Sequence, residues 1–212
     1  DSDAAARLLG ISPASLRRRL QDSGASYAKI RAGCQREWAE YLLAFTRSPV
    51  QEIARAEKSL ESNQNTEAAK TVLANFSNIR NATAGANPLE TRALRVFALA
   101  VVRSNGAVTE KTVGVPTKDE WAPTANIEWA VQSLREIDAK RPNDPTVQAD
   151  LGEALSKLPH GREESLKLLQ GLAQKDLMGS PYAYAALASL RREKGALEGA
   201  EAAVKRCEEM SK

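Results

Sequence analysis

What most limits the fold of this chain is that almost nothing in it reads as strand. Apolar residues recur in steps of three and four, interrupted at short Asn-, Gly- or Pro-bearing stretches such as Gly85-Ala86-Asn87-Pro88 and Pro142-Asn143-Asp144-Pro145. Residues 4–9 are strong helix formers stopped by Gly10. Ser12-Pro13 is a helix start, a capping hydroxyl ahead of a proline whose missing N–H costs nothing there, and that helix runs to about residue 22. Ser26 caps a longer helix with a continuous stripe of Tyr27, Ile30, Cys34, Trp38, Tyr41, Leu42 and Phe45. Helices follow over about 50–62, 66–80, 89–103, 125–140, 146–158, 162–175, 181–194 and 196–210. Residues 104–124, with Gly106, Gly114, Pro116, Pro123 and scattered valines, read as a long loop or a small hairpin. The expectation is an all-α fold.

Composition narrows the chemistry. Of 212 residues, 42% are hydrophobic and 27% charged, enough for a packed core. A single histidine, His160, and two cysteines, Cys34 and Cys207, supply neither a zinc-ligand set nor a disulfide framework. His160 falls in a Pro-His-Gly surface turn with no nucleophile motif around it, and acidic pairs such as Glu163-Glu164 and Glu208-Glu209 are adjacent rather than opposed. The reading is therefore a protein that is not an enzyme and uses no cofactor and no metal. Cys34 and Cys207 read as buried small hydrophobes. No apolar run approaches the ~20 residues of a membrane span, so no membrane partner is expected and a cytoplasmic location is.

Net charge is unevenly placed. The first fifty residues hold eight basic side chains against five acidic ones, and that difference is the whole net charge of +3. An anionic partner is expected for the first quarter alone.

In residues 50–212 the helices pair. Tyr184, Leu187, Ala188, Gly195, Ala200, Val204 and Cys207 mark the last pair, and Gly152 precedes Ala188 by 36 residues. Leu151, Gly152, Leu155, Ser165, Leu169 and Leu172 mark the pair before. Leu94 and Ala98, then Ala130, Leu134, Ile137 and Pro142, mark one split by the 104–124 insertion. Ile53, Ala56, Leu60, Ala69, Leu73 and Phe76 mark the first. The pattern resembles tetratricopeptide (TPR) repeats, a solenoid of helix hairpins with a period of ~34 residues, in which small residues admit close helix approach. The alternative is a generic helical bundle. The resemblance implies a binding scaffold whose concave face, built from the first helix of each pair, offers Glu153, Lys157, Ser189 and Arg192 to a protein or peptide partner. Trp129 is expected to pack, and Trp121 either to anchor the insertion or to meet a partner.

At the amino terminus, Ala6, Leu9, Gly10, Ile11, Leu16 and Leu20 are placed as in a helix-turn-helix: a small residue at the crossing, Gly at the turn, leucines on the inner face. The outer face of the second helix is then Ala14, Arg17, Arg18 and Gln21, with Ser12 and Pro13 at its exposed start. Arginine grips phosphate or bridges the two acceptors of guanine, and glutamine pairs with adenine. Arg19 points nearer the core, with Asp22 or the long helix as a local partner, and Trp38 and Tyr41 read as core of that helix.

The run from Leu9 to Leu20 with Gly24, Ser26 and Tyr27 looks like the first helix-turn-helix of AraC-type transcription regulators. So do Arg36-Glu37 with Ala39, Tyr41 and Leu42, and Pro49-Val50-Gln51-Glu52-Ile53-Ala54 looks like the opening of that family's second one. The likeness covers residues 4–54 and then stops at Arg55-Ala56-Glu57-Lys58-Ser59-Leu60, where the family would carry a Gly-aromatic turn and a further helix. Residues 50–54 are thus open to two readings, as motif opening or as first repeat helix. The resemblance implies a regulator that binds double-stranded DNA through residues 12–21, with a possible homodimer supplying a second groove contact. The alternative is a TPR-type scaffold whose amino-terminal helices merely cap the solenoid.

Overall fold

The computed structural model describes residues 2–45, 48–117 and 120–211, the side chains of 38–45 excepted. Among the described residues there are eleven α-helices and no strand, so the fold is all-α. They divide into two compact units, Asp1–Ser48 and Pro49–Lys212.

The first unit contains α1 (Ser2–Leu8), α2 (Pro13–Asp22) and α3 (Tyr27–Phe45). Gly10 turns the chain between α1 and α2 at φ +65°, in the left-handed region that glycine enters without a Cβ penalty. Ser12 caps α2, its Oγ accepting from the Ser15 amide at 3.1 Å, and Pro13 takes the first helical position. The helices α1 and α2 pack on each other, with Ala6 and Leu16 as their buried residues. Two expectations need correction here. Cys34 is exposed rather than buried, and Ile30 on the same stripe is also exposed. Arg19 is exposed and makes no ion pair among the described residues, because it projects from the solvent side of a short helix. Trp38 and Tyr41 lie outside the described side chains.

The second unit is a succession of four helix hairpins: α4 (Pro49–Glu61) with α5 (Asn65–Asn75), α6 (Pro88–Arg103) with α7 (Pro123–Lys140), α8 (Pro145–Ser156) with α9 (Arg162–Gln174), and α10 (Pro181–Glu193) with α11 (Leu197–Met210). Helices α4, α6, α8 and α10 pack on one another in that order. Three of them start alike, with Asn87, Asp144 or Ser180 capping and proline at the first position. One apolar cluster runs from α4 to α8 around Phe97 and Leu94, and a second joins α8 to α11 around Leu169 and Leu187. Ala130, Ala188 and Ala200 are buried, and a Cβ on Gly152 would lie 2.5 Å from Leu169 Cδ2, so α8 and α9 meet where the smallest side chain stands. Cys207 is half-buried against the second cluster.

Residues 50–54 belong to α4, and Ile53, Ala56 and Leu60 are buried in the core of this unit. The helix expected over 66–80 ends at Asn75. A 3-10 turn at Ile79–Asn81 follows, because buried Ile79 has to be turned back toward α6. The described part of 104–122 is a loop without a hairpin, Pro123 and Thr124 already belong to α7, and Val108 and Val113 join the first cluster.

Candidate functional site

Two surfaces carry the residues singled out in the sequence. On α2, Ala14, Arg17, Arg18 and Gln21 fall at i, i+3, i+4 and i+7, so the helical repeat gathers them on one side. All four are exposed, and Leu16 is buried beneath them. Ser12 is exposed with its hydroxyl engaged as the cap, and Pro13 is half-buried. Among the described residues neither Arg17 nor Arg18 has a carboxylate within ion-pair distance. Both are exposed, so their positive charge is presented to solvent with no ion-pair partner among the described residues.

The second surface is a cavity of about 370 Å³ on the α6, α8 and α10 side of the repeat unit, lined among others by Asn63, Arg103, Glu153, Lys157, Tyr182 and Ser189. Arg103 ends α6 and is held on two sides. Its Nε and Nη2 donate to the two carboxylate oxygens of Glu153 at 2.9 and 3.0 Å, and its guanidinium carbon lies 3.7 Å from the centre of the Tyr182 ring. Both partners of the ion pair are buried, the side chains 9% and 4% exposed. Lys157 Nζ donates to the neutral Asn105 amide oxygen at 2.9 Å and forms no ion pair among the described residues. Of the four residues expected on this face, Lys157 and Ser189 line the cavity and are exposed. Glu153 lines it but is buried and committed to Arg103, so it is not a free acceptor for a ligand. Arg192 is exposed outside the lining.

Arg103, Tyr182 and Asn63 went unnoticed in the sequence. Arg103 and Tyr182 lie at opposite ends of their helices and 79 positions apart in the chain, so no local spacing links them. The available signal was positional: each belongs to the first helix of its hairpin.

A further polar cluster fixes the insertion. Arg80 stacks between Trp121 and Trp129, its guanidinium carbon 4.3 and 4.4 Å from the ring centres, with Phe97 at 5.1 Å. It forms an ion pair with Glu110 and donates through Nη2 to Asn126 Oδ1 at 2.9 Å. Asn126 donates in turn to the carbonyls of Gly106 and Val108 at 2.9 and 2.7 Å. Trp121 therefore anchors the loop, and Trp129 packs.

Elsewhere, Arg95 pairs with Asp150 across α6 and α8. Burial pushes the Asp150 carboxyl up to about 6 in spite of the opposing pull of the Arg95 guanidinium. No helix among the described residues is long and apolar enough to cross a membrane.

No protein-family model, curated protein or solved structure matches the chain.

Proposed function

We propose that this chain is a DNA-binding transcription regulator. In this reading α2 enters the major groove of a duplex, and the hairpin unit holds a protein partner in the Arg103 cavity. The observation that carries the reading is the exposure of Arg17, Arg18 and Gln21 on one side of α2 with no carboxylate within ion-pair distance of the arginines among the described residues. A basic helix face above a glycine turn, in the quarter of the chain that holds all the excess positive charge, is what phosphate and base-edge contacts require. Ser12 and Pro13 present the start of α2, where the helix amides favour an anion. Lys157, hydrogen-bonded to the neutral Asn105, and the exposed Ser189 supply polar contacts for a partner segment in the cavity. A cavity of this volume holds one or two side chains rather than a long peptide. A homodimer would give two α2 helices for paired half-sites.

The test is anisotropy of a labelled duplex with the full chain and with Arg17→Ala/Arg18→Ala. Loss of affinity in the double variant at unchanged helicity supports the reading. Equal affinity in the two proteins rejects it.

A second reading, a protein-interaction scaffold without DNA affinity, is favoured by α4. Ile53, Ala56 and Leu60 are committed to the hairpin core, so the segment that resembles a second motif is not offered to DNA. That reading predicts no salt-sensitive DNA binding and unaltered partner binding in the double variant.

A further inference from the structure

A second cavity, of about 460 Å³, opens between α4, α6 and the end of α7, and shares no lining residue with the Arg103 cavity. Its polar wall is dominated by Arg92, Arg95 and Arg141, and Glu57 is the one carboxylate among its described lining residues. Arg92 and Arg95 are three apart on α6 and so share a side of it, and Arg141 follows the last turn of α7.

Donors exceed acceptors here. Each guanidinium carries five N–H groups in a planar fork. Arg92 spends Nε and Nη2 on Glu57, and Arg95 spends Nε on Asp150, which lies on α8 behind the cavity wall. Arg141 forms an exposed ion pair with Asp144 Oδ2 at 3.9 Å, beyond hydrogen-bonding distance, so its N–H groups are not spent on that carboxylate, while Asp144 Oδ1 is occupied in capping α8. The amides that open α6 are already taken by the Asn87 side chain. Thr91 Oγ1 donates to the Asn87 carbonyl and accepts from the Gly85 amide. The lining therefore asks for a ligand rich in acceptor oxygens. Leu89, Val50 and Ile137 give the same cavity an apolar side.

We propose that this cavity binds a phosphate monoester, its oxygens taken by Arg92, Arg95 and Arg141 and its organic group lying against Val50, Leu89 and Ile137. A phosphoryl group offers three oxygens and up to two charges, matching three forks better than a carboxylate with two oxygens. The volume suits a small molecule, which makes the site suited to an effector and independent of both surfaces described above.

The experiment is calorimetric titration of the full chain with phenyl phosphate and, separately, with inorganic phosphate, at fixed ionic strength. Arg141→Gln changes an exposed side chain, and far-ultraviolet dichroism checks that its helicity is kept. Arg162→Gln, a cation of the other cavity, is the control. Saturable binding of phenyl phosphate, weakened tenfold or more by Arg141→Gln and unchanged by Arg162→Gln, is the expected result. The proposal is overturned by absence of saturable binding, by binding of inorganic phosphate alone, or by equal affinities in Arg141→Gln and the wild type.

Discussion

The Tyr182 hydroxyl, in the first turn of α10, donates to the carbonyl of Leu60 near the end of α4 at 3.2 Å. It thereby ties the last hairpin of the repeat unit to the first. The same ring lies over Arg103, so one side chain closes the cavity and orders the cation within it. Tyr182→Phe keeps the ring and removes the hydroxyl, and is expected to lower stability by about 0.5–1.5 kcal/mol. Tyr182→Leu removes the ring as well and is expected to cost more. Urea unfolding of the two variants gives the order; an equal loss would deny the stacking a share.

Helix glycines give opposed outcomes. Gly152→Ala drives a Cβ into Leu169, whose own side chain is fully buried and cannot retreat, so overpacking of about 1–3 kcal/mol outweighs the gain in helix propensity of about 1 kcal/mol. Gly171→Ala meets nothing within 4 Å and is expected to stabilise. Thermal melts should move in opposite directions, and a fall in both would show that propensity and space do not decide these sites.

The Arg80 cluster predicts how the insertion is held. Arg80→Ala leaves Glu110 buried without its cation and removes the guanidinium on which Trp121 and Trp129 both stack, with an expected loss of about 3–5 kcal/mol. Near-ultraviolet dichroism should lose the tryptophan signal that Trp121 and Trp129 contribute in the same variant. A fully retained signal would place the anchor elsewhere.

Asp150 sets a pH dependence. Its carboxyl is raised from 3.8 to about 6 by burial, so the folded state holds its proton more tightly than the unfolded chain does. Stability from this group is complete below about pH 3.8 and is lost as the pH climbs through about 6. Asp150→Asn cannot titrate, so the stability of the wild type relative to this variant should fall between pH 4.5 and pH 7.5. Urea unfolding at the two values checks it, and a constant difference would contradict the assignment.

Helix positions were legible because their signals are local. Asn87-Pro88 and Asp144-Pro145 cap and start α6 and α8 where the sequence places them, Gly152 stands at a close approach and Ala188 is buried. The exposure of Ala14, Arg17, Arg18 and Gln21 followed from helical spacing once Leu16 was taken as the inner side. What the sequence hid depends on distant partners. Glu153 reads as a free surface acid until Arg103, fifty positions earlier, is seen against it. Cys34 reads as buried because a stripe does not say whether anything covers it. Asn75 ends α5 before its apolar pattern ends, because Ile79 is needed against α6.

The most direct measurement is the salt dependence of duplex DNA binding by the whole chain and by Arg17→Ala/Arg18→Ala. If these two guanidiniums contact phosphates, the logarithm of the association constant falls linearly with the logarithm of salt concentration in the wild type. The slope in the double variant is then shallower by about 2, near 0.9 for each lost contact. Identical slopes in the two proteins, or no binding by the wild type at low salt, would contradict the account.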